Sequence, residues 1–316
     1  SFLDYSERLA ARLPDPIDTV FLVNSGSEAN ELALRLARAA TGARDVLVVD
    51  GAYHGNTGGC VAMSPYKFDG PGGRGCPDWV HVAPSPDRYR GSIRGPGDDV
   101  GVGYALELAT VVGEACATGR SIAGFFAEPI LSCGGQVPLP GGYLASAFAH
   151  VRRAGGLCIS DEVQVGFGRV GNAFWGFELD AADGLEPVVP DIVVMGKPIG
   201  NGHPMGAVAT TRAIADAFAN GMEFFSTFGG NPVSCAVGLA VLDVIEEEDL
   251  QRRAAVRGER FLDGLRTLAE RYEVIGDVRG RGLFLGVEFV RDRTSREPDA
   301  ETARAVVQAM RSRGVL

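Results

Sequence analysis

Basic charge is the first thing this sequence is short of. Its 30 lysines and arginines stand against 40 aspartates and glutamates, a net charge of −10. That excludes a surface built for polyanions, and with it nucleic acid as a partner. Histidine is scarce, with four residues, and the six cysteines (Cys60, Cys76, Cys116, Cys133, Cys158 and Cys235) are scattered without a C-x-x-C pair. A zinc site or a disulfide framework is therefore not expected, and a reducing cytoplasm is the expected setting. No apolar run approaches the length of a membrane span, and the N-terminus has no signal-peptide pattern, so no membrane partner is expected. A phosphate-cradling G-x-x-x-x-G-K-[ST] is missing. Gly70, Gly72 and Gly75 do fit G-x-G-x-x-G, but no strand precedes them and Cys76-Pro77 follows in place of a helix, which rejects the dinucleotide reading.

What remains is a chain of 316 residues, 46% hydrophobic and 22% charged, enough to bury a sizeable core in one large domain and a smaller one. Apolar runs suited to buried strands recur, separated mostly by helical patterns. Thr19–Val23, Asp45–Val49, Ile122–Ala127, Leu157–Ser160 and Ile192–Met195 are such runs. This alternation predicts an α/β fold with a largely parallel central sheet and helices on both faces. Residues 64–100, rich in Gly, Pro and Asp, read as a long surface excursion. The charged stretch 246–260 marks a boundary, giving a large domain over 1–247 and a small α+β domain over 248–316. That small domain breaks off after Arg313-Gly314-Val315-Leu316 and so reads as incomplete.

The chemistry sits where the strands end. Ser25 and Glu28 have the S-x-x-E spacing of a capping box, and Asn24-Ser25-Gly26-Ser27 makes a strand-to-helix turn able to bind an anion. An ordinary capped helix would look the same. Tyr53 and His54, between Gly51 and Gly55, could lie against a flat ligand or simply plug a core edge. Glu128 ends one strand, and Asp161 with Gln164 ends another; a carboxylate at that depth needs a cationic or N–H partner. Lys197 ends a third, where Pro198 biases it toward an extended backbone. Taken alone, Lys197 is also a lysine that meets water. In a parallel sheet, however, these exits share one rim. Phosphate cradle, flat aromatic, buried carboxylate and amine together match one cofactor, pyridoxal 5′-phosphate.

The motifs Asn24-Ser25-Gly26-Ser27-Glu28-Ala29-Asn30, Tyr53-His54-Gly55, Asp161-Glu162-Val163-Gln164, Met195-Gly196-Lys197 and Thr227-Phe228-Gly229-Gly230-Asn231-Pro232 resemble those of class III, fold type I, PLP-dependent aminotransferases. Ser132-Cys133-Gly134-Gly135-Gln136 and Gly200-Asn201-Gly202-His203-Pro204 are similar to the branch holding alanine–glyoxylate aminotransferase 2 and the ethanolamine-phosphate phospho-lyases. The resemblance implies that Lys197 forms the cofactor Schiff base and moves the substrate proton. It implies that Asp161 pairs with the pyridine nitrogen, Gln164 meets the ring's phenolic oxygen, and Tyr53 stacks on the ring with His54 behind it. Gly26 and Ser27 would hold the phosphate, with Ser25 and Glu128 behind the first layer. Thr227 would reach the cofactor of a neighbouring subunit, which implies a homodimer. Implied activities are amino transfer from an amino acid or primary amine to a 2-oxo acid or aldehyde, or phosphate elimination from a phosphorylated amino alcohol. A non-catalytic module of the same fold is a third reading. Where Cys133 stands many members of the family have a glutamate, so their usual dual-specificity switch is not expected here. The family's substrate-carboxylate arginine falls beyond Leu316.

Overall fold

In the computed structural model residues 1–97, 99–222 and 224–316 are described. The strands, in chain order, are β1 (Ile17–Val23), β2 (Asp45–Val49), β3 (Val80–Ala83), β4 (Ile122–Ala127), β5 (Ile130–Leu131), β6 (Val137–Pro138), β7 (Leu157–Asp161), β8 (Ile192–Met195), β9 (Gly206–Thr211), β10 (Ile275–Arg281) and β11 (Phe284–Phe289). Seven of them form the central sheet in the order β1-β9-β8-β7-β4-β2-β3. The run from β8 to β3 is parallel. Only β9 opposes its neighbours, pairing antiparallel with both β8 and β1. Two reversals restore the direction, so β1 points the same way as β8, and its exit at Asn24 lies on the rim that carries Lys197.

The inner strands β2, β4, β7 and β8 are almost wholly buried because both faces are covered. In β8, Val193 and Met195 join one hydrophobic cluster while Ile192 and Val194 join the other. Leu47 and Val49 divide in the same way from Val46 and Val48 in β2. Each such fully buried aliphatic side chain contributes roughly 1.5–3 kcal/mol. One face is roofed by the helix Gly26–Thr41, which buries Ala29, Leu32, Ala33, Leu36 and Ala37 and stops at Gly42, where φ is +68°. Glycine takes that left-handed conformation without the Cβ penalty. The other face is roofed by the helices Asp99–Ala117 and Tyr143–Arg153.

Some elements differ from the sequence expectation. The excursion over 64–100 holds a helical turn at Pro65–Phe68 and the edge strand β3, too short and too mixed in polarity to stand out in a Gly/Pro-rich stretch. Asp99–Ala117 is, by length and composition, apolar enough to cross a membrane, with a mean hydropathy of 1.3. It is a core helix instead, burying Val100, Tyr104, Leu108, Val112 and Ala115. Half of the expected capping box forms. Ser25 Oγ accepts from Glu28 N (3.1 Å), but the Glu28 carboxylate turns to the amide of Asn24 (3.0 Å) rather than to the cap residue itself. Beyond the helices Pro232–Glu247 and Leu250–Arg271, β10 and β11 form an antiparallel hairpin turning at Gly282-Leu283, and the helix Ala300–Arg311 follows.

Candidate active site

The parallel strands deliver their exits to one cavity of about 510 Å³. It takes Ser25, Gly26 and Ser27 from the start of the first long helix and Tyr53 and His54 from beyond β2. Glu128 comes from the end of β4, Asp161 and Gln164 from the end of β7, and Lys197 from the end of β8. Thr227, the remaining expected residue, is exposed and does not line this cavity.

Asp161 is the most elaborately held of these groups. It is 4% exposed. Its Oδ2 accepts from Asn30 Nδ2 and from His54 Nδ1, both at 2.8 Å, and its Oδ1 accepts from the amide of Val163 at 3.1 Å. An ionised carboxylate can only accept, so toward it Nδ1 of His54 is the donor, and Nε2 is the ring's other nitrogen. That Nε2 and Asn30 Oδ1 are buried with no hydrogen-bond partner. A carboxylate offers about four lone-pair sites. With three donors in place, one acceptor position of Asp161 remains for a group in the cavity. His54 thus braces the aspartate from behind, a contact the sequence expectation of His54 behind Tyr53 did not include, and is itself anchored by its amide to Ser64 Oγ at 2.9 Å.

Glu128 does a different job. One oxygen accepts the amide of Tyr53 at 3.0 Å, and the other accepts the amide of Ser132 at 3.1 Å and its hydroxyl. Burial pushes this carboxyl up; the proximity of His54 opposes that push and the proximity of Asp161 adds to it. It fixes the Tyr53 backbone against the 132–136 loop and does not reach Lys197. Beside Asp161, Glu162 is fully buried and accepts from the amides of Gly176 (2.7 Å) and Phe177 (3.0 Å) and from Ser160 Oγ (2.9 Å). Burial still pushes it up to about 7.

The helix start fits an anion. The amides of Gly26 and Ser27 open the helix, where no preceding turn supplies a carbonyl, and they sit at the positive end of its dipole. A Cβ on Gly26 would come within 2.7 Å of Val163 Cγ1. One on Gly55 would meet Ser27 Oγ at 2.7 Å, and φ there is +130°. The cradle is therefore drawn tight by glycine at two points. Lys197, exposed at the cavity, does not take the extended backbone expected from Pro198. It opens a short 3₁₀ turn, Lys197–Ile199, with φ at +32°, a sparsely populated conformation for a side-chain-bearing residue. The extended Gly196 packs against the helix start, where a Cβ on it would lie 2.9 Å from Gly26 Cα.

Asn30 and Ser64 escaped the sequence reading as site residues. A signal for Asn30 was present: asparagine is a weak helix former, yet here it stands one turn beyond Gly26 on the face that meets the sheet.

The architecture is that of the α/β PLP-dependent transferases of fold type I. The chain belongs to the aminotransferase class-III family, whose match spans residues 1–316. It is 50% identical over 307 residues to alanine–glyoxylate aminotransferase 2-like of Drosophila melanogaster, covering 96% of this chain and 61% of that one. It is 44% identical over 323 residues to ethanolamine-phosphate phospho-lyase homolog 1 of Caenorhabditis elegans, covering 99% and 68%. Among solved structures, a phospholyase from Arthrobacter in complex with phosphoethanolamine superposes with a TM-score of 0.90 at 39% identity, covering all of this chain and 72% of that one. An (S)-enantioselective omega-transaminase from Thermomicrobium roseum gives 0.86 at 32% identity, covering 100% and 71%. An amine transaminase from an uncultivated Pseudomonas species in its PLP-bound form gives 0.84 at 30%, covering 96% and 69%. The chain therefore spans about three fifths of the fly relative.

The expected cytoplasmic setting is corrected by these relatives. Alanine–glyoxylate aminotransferase 2 of Homo sapiens and of Pongo abelii, and homolog 2 of Arabidopsis thaliana, are named as mitochondrial. Unpaired cysteines call only for a reducing milieu and do not choose among compartments that share one.

Pyridoxal 5′-phosphate is the cofactor that the family implies, and the residues fit it. The helix-start amides are drawn tight for a phosphate, Asp161 keeps one acceptor position toward the cavity, and a free amine stands at the same rim.

Proposed function

We propose that this chain is the cofactor-binding part of an enzyme that moves an amino group from an amino acid or primary amine to a 2-oxo acid or aldehyde. The observation carrying this is that Lys197, Asp161 and the Gly26-Ser27 helix start share one cavity although up to 171 positions separate them (197 − 26). When bound, pyridoxal 5′-phosphate supplies an electron sink for the pair of electrons left at the substrate Cα. Gly26 and Ser27 amides orient the phosphate. The spare acceptor position of Asp161 would keep a proton on the ring nitrogen, and the Asn30–His54 brace holds the carboxylate from turning away. Tyr53, its backbone fixed by Glu128, would cover one ring face and exclude water, and Gln164, on the cavity wall, would serve the phenolic oxygen. Lys197 Nζ would hold the cofactor at its aldehyde and would serve as the base that takes the proton from the substrate Cα and gives it back.

A second reading is elimination of phosphate from a phosphorylated amino alcohol. It is favoured by the likeness to the Arthrobacter phospholyase solved with phosphoethanolamine. Both share the same proton removal by Lys197. Inorganic phosphate released from phosphoethanolamine without an amino acceptor selects elimination; amino transfer that requires a keto acid selects the first. A screen of amine donors and of phosphoethanolamine on the protein is the test of both. A result with neither conversion of the cofactor to its amine form with any donor nor release of inorganic phosphate rejects both.

A homodimer belongs to the same proposal. The segment around Thr227 exposes Met222 (72%), Phe225 (77%), Phe228 (69%) and Val233 (65%). So much apolar surface in one short stretch suits a protein interface, and it would carry Thr227 to a partner's cofactor. The division into a large domain over 1–247 and a small one over 248–316 is also proposed. In its support, nothing after the helix Pro232–Glu247 joins the central sheet.

A further inference from the structure

Arg279 lies on β10, outside the cavity, and it is only 12% exposed in its side chain. Its Nε and Nη2 both donate to the carbonyl of Gly135, at 3.0 and 2.8 Å. The rest of the guanidinium is committed to Asp277 (3.0 Å) and Glu288 (2.7 Å), and the other oxygen of Glu288 is taken by Arg90, whose Nε lies at 2.7 Å. Burial alone would raise the Glu288 carboxyl, but the two guanidiniums more than offset it and hold it below the usual range. The contact leaves no slack. A Cβ on Gly286 of β11 would stand 2.9 Å from that same Gly135 carbonyl, and Gly135 itself has φ at +108°. From Gly135 the chain of bonds continues inward. The amides of Gly135 and Gln136 and the Gln136 Nε2 all donate to the carbonyl of Ser132. Ser132 donates to Glu128, and Glu128 accepts the amide of Tyr53. Gly134 also lies against Gly51, two residues before Tyr53.

We propose that Arg279 is a positioning residue of the active site: by clamping the Gly135 carbonyl it lets the C-terminal hairpin hold the 132–136 loop, and through Glu128 the backbone of Tyr53, in place against the cofactor. A planar two-pronged donor is what this carbonyl demands, and lysine cannot supply it. The inference rests on the proposed cofactor site but not on which reaction runs there.

The test is the dissociation constant of pyridoxal 5′-phosphate, measured on wild type, Arg279→Met, Glu128→Gln and the double variant, beside thermal melting of the cofactor-loaded proteins. Residues in one hydrogen-bonded network couple measurably. Arg279→Met is expected to weaken cofactor binding about three- to tenfold, the effect shrinking in the Glu128→Gln background, with Arg279→Lys recovering only part of it. A lowered melting temperature with unchanged cofactor affinity, or effects that simply add in the double variant, overturns the proposal. Should Arg279→Met fail to fold, Gly286→Ala, which pushes on the same carbonyl, is judged by the same two criteria. Wild type that binds the cofactor and turns over no amine would sink the proposed activity while leaving the clamp intact. An active enzyme with additive effects would do the reverse.

Discussion

At the scale of single residues, the site separates groups that do chemistry from groups that hold them. Lys197→Ala is expected to abolish the visible absorption of lysine-bound cofactor and to lower kcat by about 10²–10⁴, the usual contribution of a positioned acid–base group. Spectrum and steady-state rate check it, and turnover surviving the change would reject the mechanism. Asp161→Asn should lower kcat on the order of 10²–10³ and also lower the melting temperature, since an amide oxygen kept toward Val163 sets the NH2 against the Asn30 and His54 donors and no longer stabilises a ring proton. Glu162 gives a pH signature of its own. Its carboxyl is raised by burial to about 7, against roughly 4.3 in an unfolded chain. The native state therefore holds the proton more tightly. Its contribution to stability is fully present below about pH 4 and is lost as pH rises through about 7. Glu162→Gln should flatten that part of the melting-temperature profile; an unchanged slope would show that another group carries it.

At the scale of elements, the parallel strands act as carriers. The inner strands are buried on both faces, so polar chemistry gathers at their exits, and five exits of like direction bring their side chains together. The tight approach of Gly26 to Val163 gives a test of the cradle. Val163 is pinned because its amide is bound by Asp161, so it cannot simply step aside. Gly26→Ala should lose about 1–3 kcal/mol of stability by overpacking and weaken cofactor binding with it. Adding Val163→Ala should restore much of both, as calorimetry and cofactor titration would read. The strand exits were legible in the sequence because apolar runs ending on Asn24, Tyr53, Glu128, Asp161 and Lys197 need only a period and a direction. The edge strand β3 was not, since four residues bordered by proline and aspartate carry too little pattern. The backbone at Lys197 was misjudged for another reason. A dipeptide preference before proline yielded to the tertiary demand that the lysine turn toward the cavity.

At the scale of the whole molecule, the exposed aromatic segment around Thr227 decides whether one chain is sufficient. Phe225→Asp with Phe228→Asp should shift the protein toward monomer in sedimentation at unchanged secondary structure. Mixed subunits test Thr227 itself. If Thr227 serves the partner's cofactor, a hybrid of Lys197→Ala with Thr227→Ala chains gathers both defects in one site and leaves the other site native. Activity should then reappear on mixing; no recovery would place Thr227 at its own chain's site. Compartment likewise does not follow from the cysteine count: relatives named as mitochondrial point away from a plain cytoplasmic setting.

The sequence by itself determined the fold class, the strand ends and the types of group the cofactor needs, because hydrophobic periodicity and local capping act over a few residues. Tertiary structure alone decided that Asn30 and His54 share one oxygen of Asp161, that Glu128 serves the Tyr53 backbone, and that Arg279 reaches Gly135 from 144 positions away. Those bonds join segments with no local preference for one another. They exist because burying a charge is costly until every donor and acceptor around it is matched, a condition that only the folded chain can meet.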